Sequence, residues 1–77
     1  MKHTYTTVPR EDRAVGWDPL AYSLARVKAG MTFRVMSQRL GVSISALHKW
    51  SGTGVPPSDM VAKIAKTLNC RQKDLLQ

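Results

Sequence analysis

The sequence predicts an all-α domain of five short helices, and three observations carry that expectation. Phe33, Met36, Ser37 and Leu40 fall at i, i+3, i+4, i+7, and the apolar Val61, Ile64, Ala65 and Leu68 repeat that spacing. Helix starts and stops alternate along the chain at Asp18-Pro19, Gly30, Thr32, Gly41, Ser43, Ser58 and Asn69. Between Ser51 and Pro57 the run SGTGVPP holds two glycines and two prolines, which neither a helix nor a central strand tolerates, so it reads as a loop. The length of 77 residues fits one domain, near the size at which a single core supplies only a few kcal/mol of net stability.

Residues 1–16 show no helical period and form an N-terminal arm ahead of a domain at 17–77. Within the arm, HTYTTV (His3 to Val8) has strand composition and is closed by Pro9. Three readings stay open for it: a mobile arm, a short strand that pairs with a second copy and dimerises the chain, or a basic arm laid along DNA.

The first helix starts where Asp18 caps free amides and Pro19 takes the first helical position, and it stops at Gly30. Leu20, Leu24 and Val27 form its apolar stripe, which is expected to face the core, with Arg26 and Lys28 on a solvated edge. Thr32 caps the second helix, whose Phe33, Met36, Ser37 and Leu40 share one side. Gly41 ends it, because glycine takes the left-handed conformation without a Cβ penalty. Ser43 caps the third helix, with Leu47 and Trp50 on one side and Ile44, Ser45, His48 and Lys49 on the other. Ser58 caps the fourth, with Asp59 set against its dipole; Val61, Ile64, Ala65 and Leu68 face inward and Lys63 and Lys66 outward. Arg71 to Leu76 is long enough for about two helical turns, and Leu75 and Leu76 are available to close the core.

Charge narrows the function. Twelve basic against five acidic residues give a net charge of +7, and such a surface attracts polyanions, chiefly nucleic acid or anionic membrane. A membrane partner is not expected, since no apolar run approaches the roughly 20 residues needed to span. No Ser/His/Asp set, paired carboxylates or phosphate loop supports catalysis. His3, His48 and Cys70 are too scattered for a metal set, and one cysteine forms no internal disulfide. No cofactor and no small-molecule effector are expected. With no apolar signal region at the N-terminus, the expected compartment is the cytoplasm.

Two helices pivoting on Gly41, the second with one apolar and one polar, basic face, describe a helix-turn-helix whose second helix enters the DNA major groove. From Asp18 to Leu76 the chain resembles the phage-repressor-like helix-turn-helix family, the Cro, cI and lambda-repressor type. The carriers are Ala25-Arg26 before Gly30, Met31-Thr32, Leu40-Gly41-Val42-Ser43 at the turn, Leu47 and Trp50, and VPPSDMVAKIAKTLNC followed by DLL. The resemblance implies a compact five-helix domain that regulates transcription as a Cro-type repressor of phage or plasmid origin. It would bind a pseudo-palindromic operator on double-stranded DNA as a homodimer. An alternative of another class is a protein-interaction module, such as an antitoxin or an inhibitor of a host factor.

Three positions depart from the family. Phe33 stands where it often has a DNA-touching Gln, so that contact is either missing or replaced by packing. Ser51 stands where many members carry Glu, which leaves Arg26 without that acidic partner. Ile44 holds a position often polar or basic, and offers thymine methyl contacts instead.

The expected DNA-binding residues are Thr32, Phe33, Arg34, Ser43, Ile44, Ser45, His48, Lys49 and Thr53. Ser45 and Lys49 are the expected base readers. Ser43 caps its own helix, with a phosphate contact in addition, and His48 either touches DNA or is simply solvated. Thr32, Arg34 and Arg39 lie where they reach phosphate or form a solvated surface, and Thr53 lies beside the sugar-phosphate backbone after the third helix.

Overall fold

The computed structural model describes residues 13–77, so the expectations for residues 1–12 lie outside the described residues. Four α-helices follow in order: α1 (Pro19–Lys28), α2 (Phe33–Leu40), α3 (Ile44–Trp50) and α4 (Ser58–Leu68). In place of a fifth α-helix the chain closes with a 3-10 helix, Gln72–Leu75. The described residues contain no strand, only isolated bridges from Arg13 to Pro57 and from Trp17 to Leu76. The all-α class stands. The Cα radius of gyration is 11.3 Å, close to that of a packed chain of this length.

Local chemistry sets the boundaries. Asp18 Oδ1 accepts from the amides of Leu20 and Ala21 at 3.1 and 3.2 Å, and Thr32 Oγ1 accepts from Val35 at 3.1 Å. Gly41 (φ 71°) and Asn69 (φ 58°) end α2 and α4 in the left-handed conformation. Ser43 Oγ caps α3 through the Ala46 amide at 3.1 Å. The fourth cap differs from expectation: Pro57 holds the cap position without a side-chain bond and Ser58 is the first helical residue. Pro57 is held in extended backbone, where it bridges to Arg13, and helical conformation starts at the next residue, Ser58.

The closing segment is shorter than two turns for a similar reason. Asp74 Oδ2 accepts from the Arg71 amide, and Leu76 leaves the helix in extended conformation to pair with Trp17. Asp18 N–H donates to the Leu75 carbonyl at 3.0 Å, and Gln77 N–H to Gly16 at 2.7 Å. The two ends of the described chain are thereby stitched together. Residues 13–16, grouped with the arm in the sequence reading, also join the domain, since Ala14 is buried and its amide donates to the Pro56 carbonyl at 2.9 Å.

The core combines Trp17, Tyr22, Met36, Val42, Leu47, Trp50, Met60, Val61, Ile64, Leu68 and Leu75. The α4 stripe faces inward as its spacing requires. The α1 stripe does not: Leu20, Leu24 and Val27 are 68%, 61% and 66% exposed. Tyr22, almost opposite them on the helix, is the buried residue. The half-buried, small Ala21 and Ala25 flank Tyr22 on the side where α1 packs against the closing 3-10 helix.

Burial pushes the Tyr22 phenol well above the usual tyrosine value of 10.0, with Arg26 pulling weakly the other way. Because the folded value is raised, this contribution to stability is complete below the unfolded pKa of about 10 and declines as pH rises past it, where only the unfolded chain sheds the proton. Thermal melts between about pH 9 and 11 are therefore expected to fall more steeply for the wild type than for Tyr22→Phe. Parallel falls would contradict this role.

Candidate nucleic-acid interface

The helix-turn-helix corner is held from inside. Ser37 Oγ donates to the Val42 carbonyl at 2.6 Å across the turn, and Val42 is buried below it. This leaves α3 with Ala46, Leu47 and Trp50 inward and Ser43, Ile44, Ser45, His48 and Lys49 outward, all five exposed. The outer face has the mixed chemistry expected of it: a hydroxyl and an ammonium for hydrogen bonds, an imidazole, and an isoleucine 43% exposed that can meet thymine methyls.

A helix of 7 residues is too short to stand by itself, and its last four carbonyls need donors from elsewhere. Each finds one. Tyr22 Oη donates to Leu47 at 3.2 Å, and Trp17 Nε1 donates to Trp50 at 2.8 Å. The Ser51 amide and hydroxyl donate to His48 at 3.1 and 2.7 Å. The Gly52 and Gly54 amides donate to Lys49 at 3.0 and 2.7 Å. Two aromatic donors from outside the helix-turn-helix thus fix the end of α3, and sequence reasoning missed both. The available signal was chemical, since buried Trp and Tyr ordinarily place their polar atoms on a partner.

Gly54 matters for a steric reason. A Cβ there would lie 3.0 Å from both the Lys49 carbonyl oxygen and Lys49 Cβ, and 3.1 Å from the carbonyl carbon. That carbonyl is held by two hydrogen bonds and cannot yield. Gly54→Ala is expected to destabilise the domain by about 1–3 kcal/mol and to displace Lys49, as measured by denaturant unfolding. Unchanged stability would show that the loop has slack.

Phe33 is half-buried, and its ring is used for packing. The Arg26 guanidinium lies 4.4 Å from the ring centroid and donates from Nη1 to the Met31 carbonyl at 2.8 Å. The ring also meets His48 at 4.3 Å between centroids. Phe33 and Ser51 thus each have a partner within the domain. Ser51 turns its hydroxyl to the His48 carbonyl, and Arg26 finds a cation–π partner in Phe33. Arg26 Nε is buried with no hydrogen-bond partner among the described residues.

The Phe33–His48 contact also brings the start of α2 beside the middle of α3. Thr32 and Arg34 are exposed there, Thr32 serving as cap, and Arg39 is exposed near the turn. At the other end of α3, exposed Thr53 joins Lys49, Trp50, Gly54, Val55 and Arg13 around a notch of about 200 Å³. Arg13 beside Lys49 was not foreseen, since only tertiary packing joins residues 36 apart. From Asp18 to Asp59 no acid intervenes, while Arg26, Lys28, Arg34, Arg39 and Lys49 lie in that stretch. Among the described residues, α2, the turn and α3 therefore contribute cations and no carboxylate to this face.

Among the described residues no group of His, Cys, Asp or Glu is arranged to hold a metal ion. None of their helices is long and apolar enough to cross a membrane. Comparison with protein-family models, curated proteins and solved structures gives no match.

Proposed function

We propose that this chain is a sequence-specific, double-stranded DNA-binding regulator of transcription that lays α3 in the major groove, in the manner of a Cro-type repressor. One observation carries the reading. A short helix, anchored at every C-terminal carbonyl, turns Ser43, Ile44, Ser45, His48 and Lys49 outward, within a stretch of chain that has no acid between Asp18 and Asp59. Ser45 and Lys49 read base edges, Ile44 packs on thymine methyls, and His48, steadied by the Phe33 ring, borders the same groove. Arg34, Arg39, Arg13 and Thr53 meet the flanking phosphates, which set position and carry no sequence information themselves.

One module offers few base contacts, so the chain acts as a homodimer on a pseudo-palindrome, with two α3 helices about 34 Å apart. Selection of bound duplexes from a random pool tests this reading. An enriched, two-fold symmetric sequence is expected, whereas a pool left unenriched after several rounds would contradict sequence-specific binding.

A further inference from the structure

The most apolar side of α1 faces water. Leu20, Leu24 and Val27 are all more than half exposed, and their i, i+4, i+7 spacing joins them into one stripe. Tyr22 leaves the nearly opposite side of the helix and reaches the Leu47 carbonyl of α3. The stripe therefore lies on the far side of α1 from the recognition helix, and a partner seated on it leaves the DNA face uncovered.

We infer that this stripe joins two copies of the chain, α1 against α1, antiparallel about a two-fold axis at Leu24. The inference deepens the homodimer reading above and rests on it. The stripe is complementary to itself: with Leu24 against the partner's Leu24, Leu20 meets the partner's Val27 and Val27 the partner's Leu20, as an isologous interface requires. The helix ends are complementary as well. Antiparallel packing sets Lys28 beside the start of the partner's α1, where Asp18 supplies the only acid of this helix and its cap, and it opposes the two helix dipoles.

A net charge of +7 on each copy opposes association, so the dimer is weak in low salt and tightens as salt screens the repulsion. Phosphate binding has the opposite salt dependence.

Sedimentation equilibrium of the full chain at low and high salt tests the interface. A concentration-dependent monomer–dimer equilibrium that tightens with salt is expected, and Leu24→Lys should raise its Kd at least tenfold. Helicity should not change, since the position is exposed in one protomer, and the Tm should equal that of the wild type at concentrations where the wild type is monomeric. In a Cys70→Ser background, Leu24→Cys should form an intermolecular disulfide on mild oxidation, while Gln72→Cys, exposed on the closing 3-10 helix, should not. A wild-type chain that stays monomeric to millimolar concentration, a dimer that Leu24→Lys leaves intact, or equal cross-linking at both positions would overturn the proposal. A monomer would mean that residues 1–12 or an unlike protein takes the stripe. Salt-sensitive duplex binding retained by Leu24→Lys separates failure of this interface from failure of the DNA reading.

Discussion

Trp50→Ala is expected to lower stability by about 3–5 kcal/mol, the range for deleting a fully buried tryptophan. Trp50 is wholly buried at the junction of α3 with the core, and its own carbonyl takes the Trp17 indole N–H. Removing the side chain opens a cavity under the recognition helix and loosens the backbone that Trp17 grips. For a domain of 60–100 residues, each kcal/mol shifts the melting temperature by about 4–8 °C, so the transition should drop by more than about 12 °C or vanish. Thermal unfolding followed by circular dichroism measures it. A variant that melts with the wild type would mean that Trp50 does not hold α3.

Lys49→Ala and Ser45→Ala should each weaken specific DNA binding by about 1–3 kcal/mol while leaving the fold intact. Both side chains are exposed, and neither accepts nor donates a hydrogen bond that α3 depends on. The two effects differ in kind. Loss at Ser45 relaxes discrimination at the base step it touches, whereas loss at Lys49 combines lost readout with one lost phosphate-neutralising charge. Affinities for the selected duplex and for single-base variants separate these components. Equal losses on every sequence would demote both residues to backbone contacts.

Much of the fold was legible because its punctuation is local. Asp18, Thr32, Ser43, Gly41 and Asn69 act within a few residues of themselves, and they end or start helices where their chemistry says they should. The inward stripe of α4 and the buried pair Leu47 and Trp50 were legible from spacing. The α1 stripe misled, since helical periodicity shows that apolar residues share a face but not what that face meets. There, small alanines and one tyrosine make the contact and the leucines face outward. The closing helix was overread for a related reason: the pairing of Leu76 with Trp17, 59 positions away, takes its last residues out of helical conformation.

The candidate site divides the same way. The outward face of α3 follows from its sequence, whereas its supports do not. Tyr22, Trp17 and Arg13 approach α3 across 25 or more positions, and no local pattern encodes those approaches. Phe33 illustrates both halves: its place at the start of α2 is visible in the sequence, but its role between Arg26 and His48 depends on three helices meeting.

The salt dependence of binding to a random duplex tests the central claim most directly. If Arg13, Arg34, Arg39 and Lys49 each neutralise one phosphate, the logarithm of the association constant should fall against the logarithm of salt concentration with a slope of about −3 to −4. Charge reversal at Lys49 should make that slope shallower. No binding to duplex at low salt, or binding that ignores salt, would contradict a DNA-binding face on α3.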